Sequence, residues 1–243
     1  MAGRPPAAVP RYLAVATEIS DEIQSRGLPP HSPLPSERDL AEQHGISRMT
    51  ARKSLDLLEK QGRVYRRPPH GTFVSEPRVT FRMGSFSREV RALGREPSAR
   101  LIWARRAAAG PAARSALGLR AGAAVHTIHR LRLMDDEPLA LETSSYPAAL
   151  TPGLLDSPPA GSVWDWLLEE RGVRLAHTEA RIEIVIIDDA GCRELGVRSA
   201  SSGLMVTRRT FDEQGRCVEY AQDVYRSDRA AFDVTEVLGR PTP

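Results

Sequence analysis

The chain has 243 residues, 41% of them hydrophobic and 27% charged, with a formal net charge of +3. That length suits two domains with separate cores, and the balance excludes a disordered or fibrous chain. The start Met1-Ala-Gly-Arg-Pro-Pro and the shortness of every apolar run argue against a secretory leader or a membrane span, while Cys192 and Cys217 lack metal-ligand spacing and read as free thiols in a reducing cytoplasm.

Near the N-terminus, Tyr12, Ala16, Ile19 and Ile23 recur with helical spacing, and Gly27-Leu-Pro-Pro30 ends the run. Ser36, with Asp39 three positions on, opens a helix over Glu37–His44 that turns Leu40 and Ala41 inward and stops at Gly45. Ser47 then starts a second helix lasting to about Gln61 and closed by Gly62, with Ala51, Ser54, Leu55 and Leu58 on its inner face. Arg48, Met49, Arg52 and Lys53 occupy the outer arc of its first two turns. Asp56 and Glu59 follow further along the same arc. Phosphate would repel those carboxylates, so the N-terminal end of this helix is the part suited to docking on nucleic acid.

After Gly62, Val64–Arg67 and Thr72–Val74 read as two short strands around Pro68-Pro69-His70-Gly71. Arg66, Arg67 and His70 offer donors for phosphate or a minor groove, and Gly71 permits close backbone approach. Two helices, a tight turn and a basic hairpin make the plan of a winged helix-turn-helix. Charge agrees with it. Residues 1–78 hold 12 of the 34 basic and 9 of the 31 acidic side chains, so all the net charge lies in this segment and the rest balances at 22 against 22.

Glu76-Pro77 breaks the hairpin strand, and a linker is expected at 76–85. Helices are then expected over Ser87–Leu93, Ala112–Leu117, Val163–Glu170 and Asp189–Leu195. Strands are expected over Ser98–Arg105, Val125–Met134, Leu139–Tyr146, His177–Ile187, Leu204–Asp212 and Cys217–Tyr225. Hairpins dominate, which predicts an α+β fold: a mostly antiparallel sheet with helices on one side. Arg130 and Arg132 share a face of one strand, and Glu142 falls about where the return strand meets them. Glu219, Asp223 and Tyr225 share a parity on the last strand. Two readings stand side by side: a surface ion-pair network worth ~0–1 kcal/mol, or a site for an anion. His126, His129 and His177 have no matching nucleophile or carboxylate arrangement. No metal cluster, glycine-rich phosphate loop or nucleophile elbow is present, so neither a cofactor nor enzymatic activity is expected.

The runs Leu34-Pro-Ser-Glu-Arg-Asp-Leu-Ala, Ser47-Arg-Met-Thr-Ala-Arg-Lys-Ser-Leu-Asp-Leu-Leu, Gly62-Arg-Val-Tyr-Arg-Arg and His70-Gly-Thr-Phe-Val resemble the DNA-binding domain of the GntR family of bacterial regulators over residues 11–75. The resemblance implies DNA contacts from Arg38, Arg48, Thr50, Arg52 and the wing tip at His70 and Gly71. Met49 departs from the polar residue often found at its position. Further on, Ser85-Phe-Ser-Arg-Glu-Val-Arg-Ala-Leu-Gly94, Arg130-Leu-Arg132, Glu142-Thr-Ser-Ser-Tyr-Pro147 and Tyr225-Arg-Ser-Asp-Arg229 resemble the effector domain of that family's HutC branch, called UTRA, which has a chorismate-lyase-like fold.

That second resemblance implies a pocket near Phe86 and Ser87. Arg130, Arg132, Ser87 and Ser162 would hold an acidic head group there, and Glu142, Glu219 and Tyr225 would take hydroxyls. The implied protein is a cytoplasmic homodimeric repressor without a membrane association. It would bind a near-palindromic double-stranded operator and be released by a small-molecule effector, a phosphosugar-like or carboxylate anion. Residues 1–75 would be the head, 76–85 the linker and 86–243 the effector and dimerisation domain. The alternatives are a DNA-binding regulator without a small ligand and a chorismate-lyase-like enzyme fused to a DNA-binding head.

Overall fold

The computed structural model describes residues 9–234, so the outer ends of the two expected domains, 1–8 and 235–243, lie outside the described residues. These residues fall into two units: one runs to Val79 and includes Ser227–Arg229, and the other holds Thr80–Arg226 and the residues from Ala230.

In the first unit, α1 (Arg11–Ser25) buries Val15, Ala16 and Ile19. Tyr12, expected in that stripe, lies at its edge and is 37% exposed. Helix α2 (Glu37–Gln43) starts in a complete capping box, with Ser36 Oγ accepting from Asp39 N–H and the Asp39 carboxylate accepting from Ser36 N–H. Gly45 turns the chain in the left-handed region, at φ 59°. Helix α3 (Arg48–Lys60) is capped by Ser47, whose hydroxyl accepts from Thr50 N–H. Its buried face is Ala51, Ser54, Leu55 and Leu58, and Ser54 Oγ donates to Tyr12 O at 2.8 Å, tying α3 to α1. Strands β1 (Val64–Arg67) and β2 (Gly71–Val74) pair antiparallel as a wing. One apolar core, from Val15 and Ile19 through Leu40 and Leu55 to Val64, holds the helices to the base of that wing.

From β3 (Val79–Phe81), whose first residue closes the first unit, the chain continues in the second unit through α4 (Phe86–Ala92), β4 (Pro97–Ala108), α5 (Pro111–Ala116), β5 (Ala124–Met134), β6 (Glu137–Pro147), α6 (Val163–Arg171), β7 (Leu175–Ile186), α7 (Asp189–Leu195), β8 (Ser202–Asp212), β9 (Cys217–Arg226) and β10 (Ala230–Phe232). Six strands form one sheet in the order β4-β5-β6-β9-β8-β7, and every neighbouring pair is antiparallel. Within the segment expected as a linker, β3 instead pairs with β10, a contact that local sequence patterns do not encode.

The helices do not share one side of the sheet, which corrects the sequence expectation. Leu131 and Leu141 point to one face and pack with Ile187, Cys192 and Leu195 around α7. The opposite parity carries Arg130, Arg132 and Glu142, and there Val163 and Leu167 of α6 pack with Ile128, Tyr146 and Val218. A bulge next to Glu219 leaves Val218 outside the register and lets it join that second cluster.

Gly62, at φ 68°, is buried, and a Cβ there would run into the Asp228 backbone. Gly62→Ala is therefore expected to cost more than the ~1 kcal/mol of a left-handed alanine, seen as a lowered melting temperature. A variant as stable as the parent would remove the constraint.

Candidate functional site

The outer face of α3 is what its amino acids require. Arg48, Met49, Arg52 and Lys53 are exposed, Met49 at 61%, because the inner face already takes the apolar side chains. Arg38 projects from the first turn of α2 with its side chain 72% exposed. Thr50 is half-buried, and its hydroxyl hydrogen-bonds Ser47 Oγ at 2.9 Å, so part of its polarity serves the helix cap. Arg52 approaches Glu37 only loosely, at 3.9 Å, and remains 61% exposed. His70 and Gly71 lie exposed at the wing tip.

Arg66 is the exception among the expected DNA contacts. Its guanidinium turns inward to Asp56, to Glu59 at 3.1 Å and to Glu37 at 3.4 Å, and only 18% of the side chain is exposed. Burial lowers its proton affinity, but Asp56 and the other carboxylates outweigh burial and raise it. Arg66 is thus a tie between the wing and α3 rather than a donor aimed outward. It also offsets one unit of the negative charge that Asp56 and Glu59 place on α3.

In the second unit, strand register assembles a polar cluster. Arg130 lies opposite Glu142, and Glu142 lies opposite Asp223. Arg130 donates to Glu142 Oε1 at 2.5 Å and to the carbonyls of Pro159 and Gly161 at 2.9 Å. Arg132 donates to Glu142 Oε2 at 3.0 Å and to Ser87 Oγ at 2.8 Å, with its guanidinium 4.5 Å over the Phe86 ring. Both arginines and Glu142 are buried, so the reading as a surface ion-pair network is overturned. Glu219 accepts from Tyr146 at 2.7 Å, Trp164 at 2.9 Å and Thr210 at 2.7 Å. Ser162 caps α6 and meets Ser85 Oγ at 3.3 Å. Tyr225 sits beside the cluster in an aromatic group with Phe81, Phe86 and Phe232.

Arg208 and Trp164 were not singled out in the sequence. Arg208 pairs with Asp223 at 2.9 Å and lies 5.5 Å over the Trp164 ring. The available signal was parity: Arg208 alternates with Val206 and Thr210 in a β-branched strand, on the face that β9 turns toward Glu142.

Electrostatics separate Glu142 from Asp223. Burial pushes Glu142 up, but Arg130 and Arg132 outweigh it and hold the group at about 2. Burial raises Asp223, Arg208 opposes this only in part, and Glu142 and Glu219 add to the rise, to about 7. Burial and Glu219 push the Tyr146 phenol up, so it remains a donor. The free space between these groups is about 20 Å³, close to the room one water needs. Trp164 also walls an open groove of about 420 Å³, with Met83, Arg88, Leu168, Arg174 and His177.

Among the described residues no group of His, Cys, Asp and Glu could hold a metal ion, and no helix is long and apolar enough to cross a membrane. Both cysteines are free.

Comparisons with known proteins match both parts of the chain. Residues 11–74 match the model of "Bacterial regulatory proteins, gntR family", and residues 92–231 match the UTRA domain. The chain is 32% identical over 227 residues to the transcriptional repressor NagR of Bacillus subtilis, covering 92% of this chain and 93% of that one. It is 30% identical over 206 residues to the histidine utilization repressor of Pseudomonas aeruginosa, covering 83% and 82%. The crystal structure of PhnF from Mycobacterium smegmatis superposes with a TM-score of 0.64 at 27% identity, over 93% of this chain and all of that one. These relatives are named as regulators of transcription, not as enzymes.

The carboxylates give the second unit two opposing pH dependences. Glu142, ordinarily 4.5 and held at about 2, contributes stability that is complete above about 4.5 and is lost as the pH falls through about 2. Asp223, ordinarily 3.8 and raised to about 7, contributes stability that is complete below about 3.8 and is lost as the pH rises through about 7. Asp223→Asn is expected to remove the second loss, so its melting temperature should gain on the parent's from about pH 5 to about pH 7.5. A constant difference across that range would refute the assignment.

Proposed function

The chain belongs to the gntR family of bacterial regulatory proteins and carries a UTRA domain, and on that premise we propose a repressor whose grip on DNA is set by a small anionic metabolite. The observation that carries this reading is a contrast between two sets of arginines. Arg48 and Arg52 stand exposed at the start of α3, whereas Arg130, Arg132 and Arg208 are buried under α4 and α6, each keeping an Nε–H without an acceptor. The first set suits a nucleic-acid surface, and the second suits an anion small enough to be enclosed.

Residues 1–75 act as the head and 86–243 as the effector unit, with 76–85 as the connection between them, in which Val79–Phe81 is a strand rather than free linker. Arg48 and Arg52 contact guanine edges or phosphates from the first turns of α3, and Thr50 contacts a base or phosphate. Arg38 and Lys53 lie against the backbone, and the wing tip at His70 and Gly71 reaches the adjacent groove. One such helix reads few bases, so two copies bind a near-palindromic operator in the cytoplasm. The outer row of β7 supports pairing through the effector units, since Ile182, Ile184 and Ile186 are exposed there, Ile184 at 79%.

In the effector unit, an acidic head group of a phosphosugar or carboxylate takes the arginine forks with Ser87, near Phe86 and Ser162. Glu142, Glu219 and Tyr225 take hydroxyls, and the groove beside Trp164 has room for the remainder. Filling the site alters the linker and releases the operator, which needs a differential affinity of only ~1–3 kcal/mol. A second reading, a regulator without a small ligand, draws on the cluster's own bonding: Glu142 already pairs with both Arg130 and Arg132, and only about 20 Å³ of free space remains among these groups.

Arg52→Ala is expected to weaken operator binding about tenfold, a loss of ~1–3 kcal/mol, with dimerisation intact; unchanged binding by fluorescence anisotropy would contradict the α3 assignment. Arg132→Lys keeps the charge but loses the fork. It should bind operator normally and show little thermal stabilisation by phosphosugars or carboxylates; a full response would refute the Arg132 assignment, and a parent chain that none of them stabilises would favour the ligand-free reading. Ile184→Glu should shift the chain to a monomer in sedimentation, and a persistent dimer would rule out the β7 edge.

A further inference from the structure

We propose that the buried arginine cluster takes up one proton together with the anion it binds, and that Asp223 is the group that holds that proton. The inference rests on the effector-site reading above and concerns how that site is regulated.

The argument begins from charge. Arg130, Arg132 and Arg208 face Glu142, Glu219 and Asp223, three cations against three carboxylates, none more than 6% exposed. The cluster is neutral as it stands. An entering anion would leave a net negative charge among groups that are nearly fully buried, and an uncompensated buried charge is neutralised by protonation before it is tolerated. One carboxylate must therefore accept a proton.

Hydrogen bonding singles out which one. Glu142 is held by two arginines through both oxygens, and Glu219 receives three donors. Asp223 receives only Arg208, on Oδ2, and its Oδ1 is buried without a partner. The groups facing it are Arg208 on β8, Glu142 on β6, Arg132 on β5, and Glu219 and Tyr225 on its own strand. On the covering helices, Arg88 and Asp165 pair with each other at the surface, and Glu89 accepts from the Arg82 backbone. Two of the facing groups are carboxylates, which agrees with Asp223 already lying near about 7 before any anion enters.

Protonated Asp223 leaves the cluster with one positive charge and frees donors of Arg208 for the incoming group. Anion affinity then rises as the pH falls through neutrality and levels off on the acid side. Acidification of the cell would favour the occupied, operator-released state.

The probe is glucose 6-sulfate, whose charge is fixed across the range, titrated calorimetrically into the full chain in buffers of low and high ionisation enthalpy. The Kd is expected to weaken by up to about tenfold from about pH 7 to about pH 8, with uptake approaching one proton at the alkaline end. Asp223→Asn should bind with an affinity independent of pH and take up no proton. Parental binding that shows neither pH dependence nor proton uptake would overturn the proposal while leaving the anion site standing. Absence of binding at every pH would instead overturn the site reading beneath it. Should Asp223→Asn not fold, the buffer dependence of the parental heat decides alone.

Discussion

Glu142, clamped between Arg130 and Arg132, is the interaction on which the effector unit is organised. Burying three charged side chains is costly, and each is tolerated only because its partners are placed by strand register. The clamp dictates what surrounds it. Ser87 and Phe86 of α4 supply a hydroxyl and a ring face to Arg132, and the chain before α6 turns two carbonyls onto Arg130. An apolar core on this face would have been simpler to stabilise. A polar one held beneath helices is the feature on which the proposed anion site rests.

The head uses the same pairing for a different end. Arg66 gathers Glu37, Asp56 and Glu59, tying the wing to both helices of the reading motif. Because this pairing is partly exposed, its energetic weight is modest, and its larger effect is on the field around α3. With the carboxylates occupied, the exposed Arg48, Arg52 and Lys53 set the sign of the surface at the helix start. The net charge of +3 counted over the first third of the chain is thus joined by an exposed cationic patch at the start of α3.

Most of the fold was legible because its signals are local. The capping pair Ser36 and Asp39, the turn at Gly45, the cap at Ser47 and the close at Gly62 act within a few residues, and the helices begin and end where they stand. Alternation likewise marked the long strands and placed Arg130 and Arg132 on one face with Glu142 opposite. What escaped were contacts between distant segments. Arg208 carries no signal of its own until β8 and β9 pair, the strand Val79–Phe81 reads as linker until it meets Ala230–Phe232, and Arg66 reads as a wing donor until α3 comes alongside.

The sequence by itself determined the two-part organisation, the helix-turn-helix with its wing, and the face on which the arginines of β5 lie, since caps, turns and side-chain parity are set by short-range sterics and hydrogen bonding. Only the tertiary structure decided that those arginines are buried, that α7 lies on one face of the sheet and α6 on the other, and that Asp223 keeps an unpartnered oxygen beside two other carboxylates. Burial and electrostatic environment depend on which remote strands and helices are packed together, and that information is not carried by any one stretch of the chain.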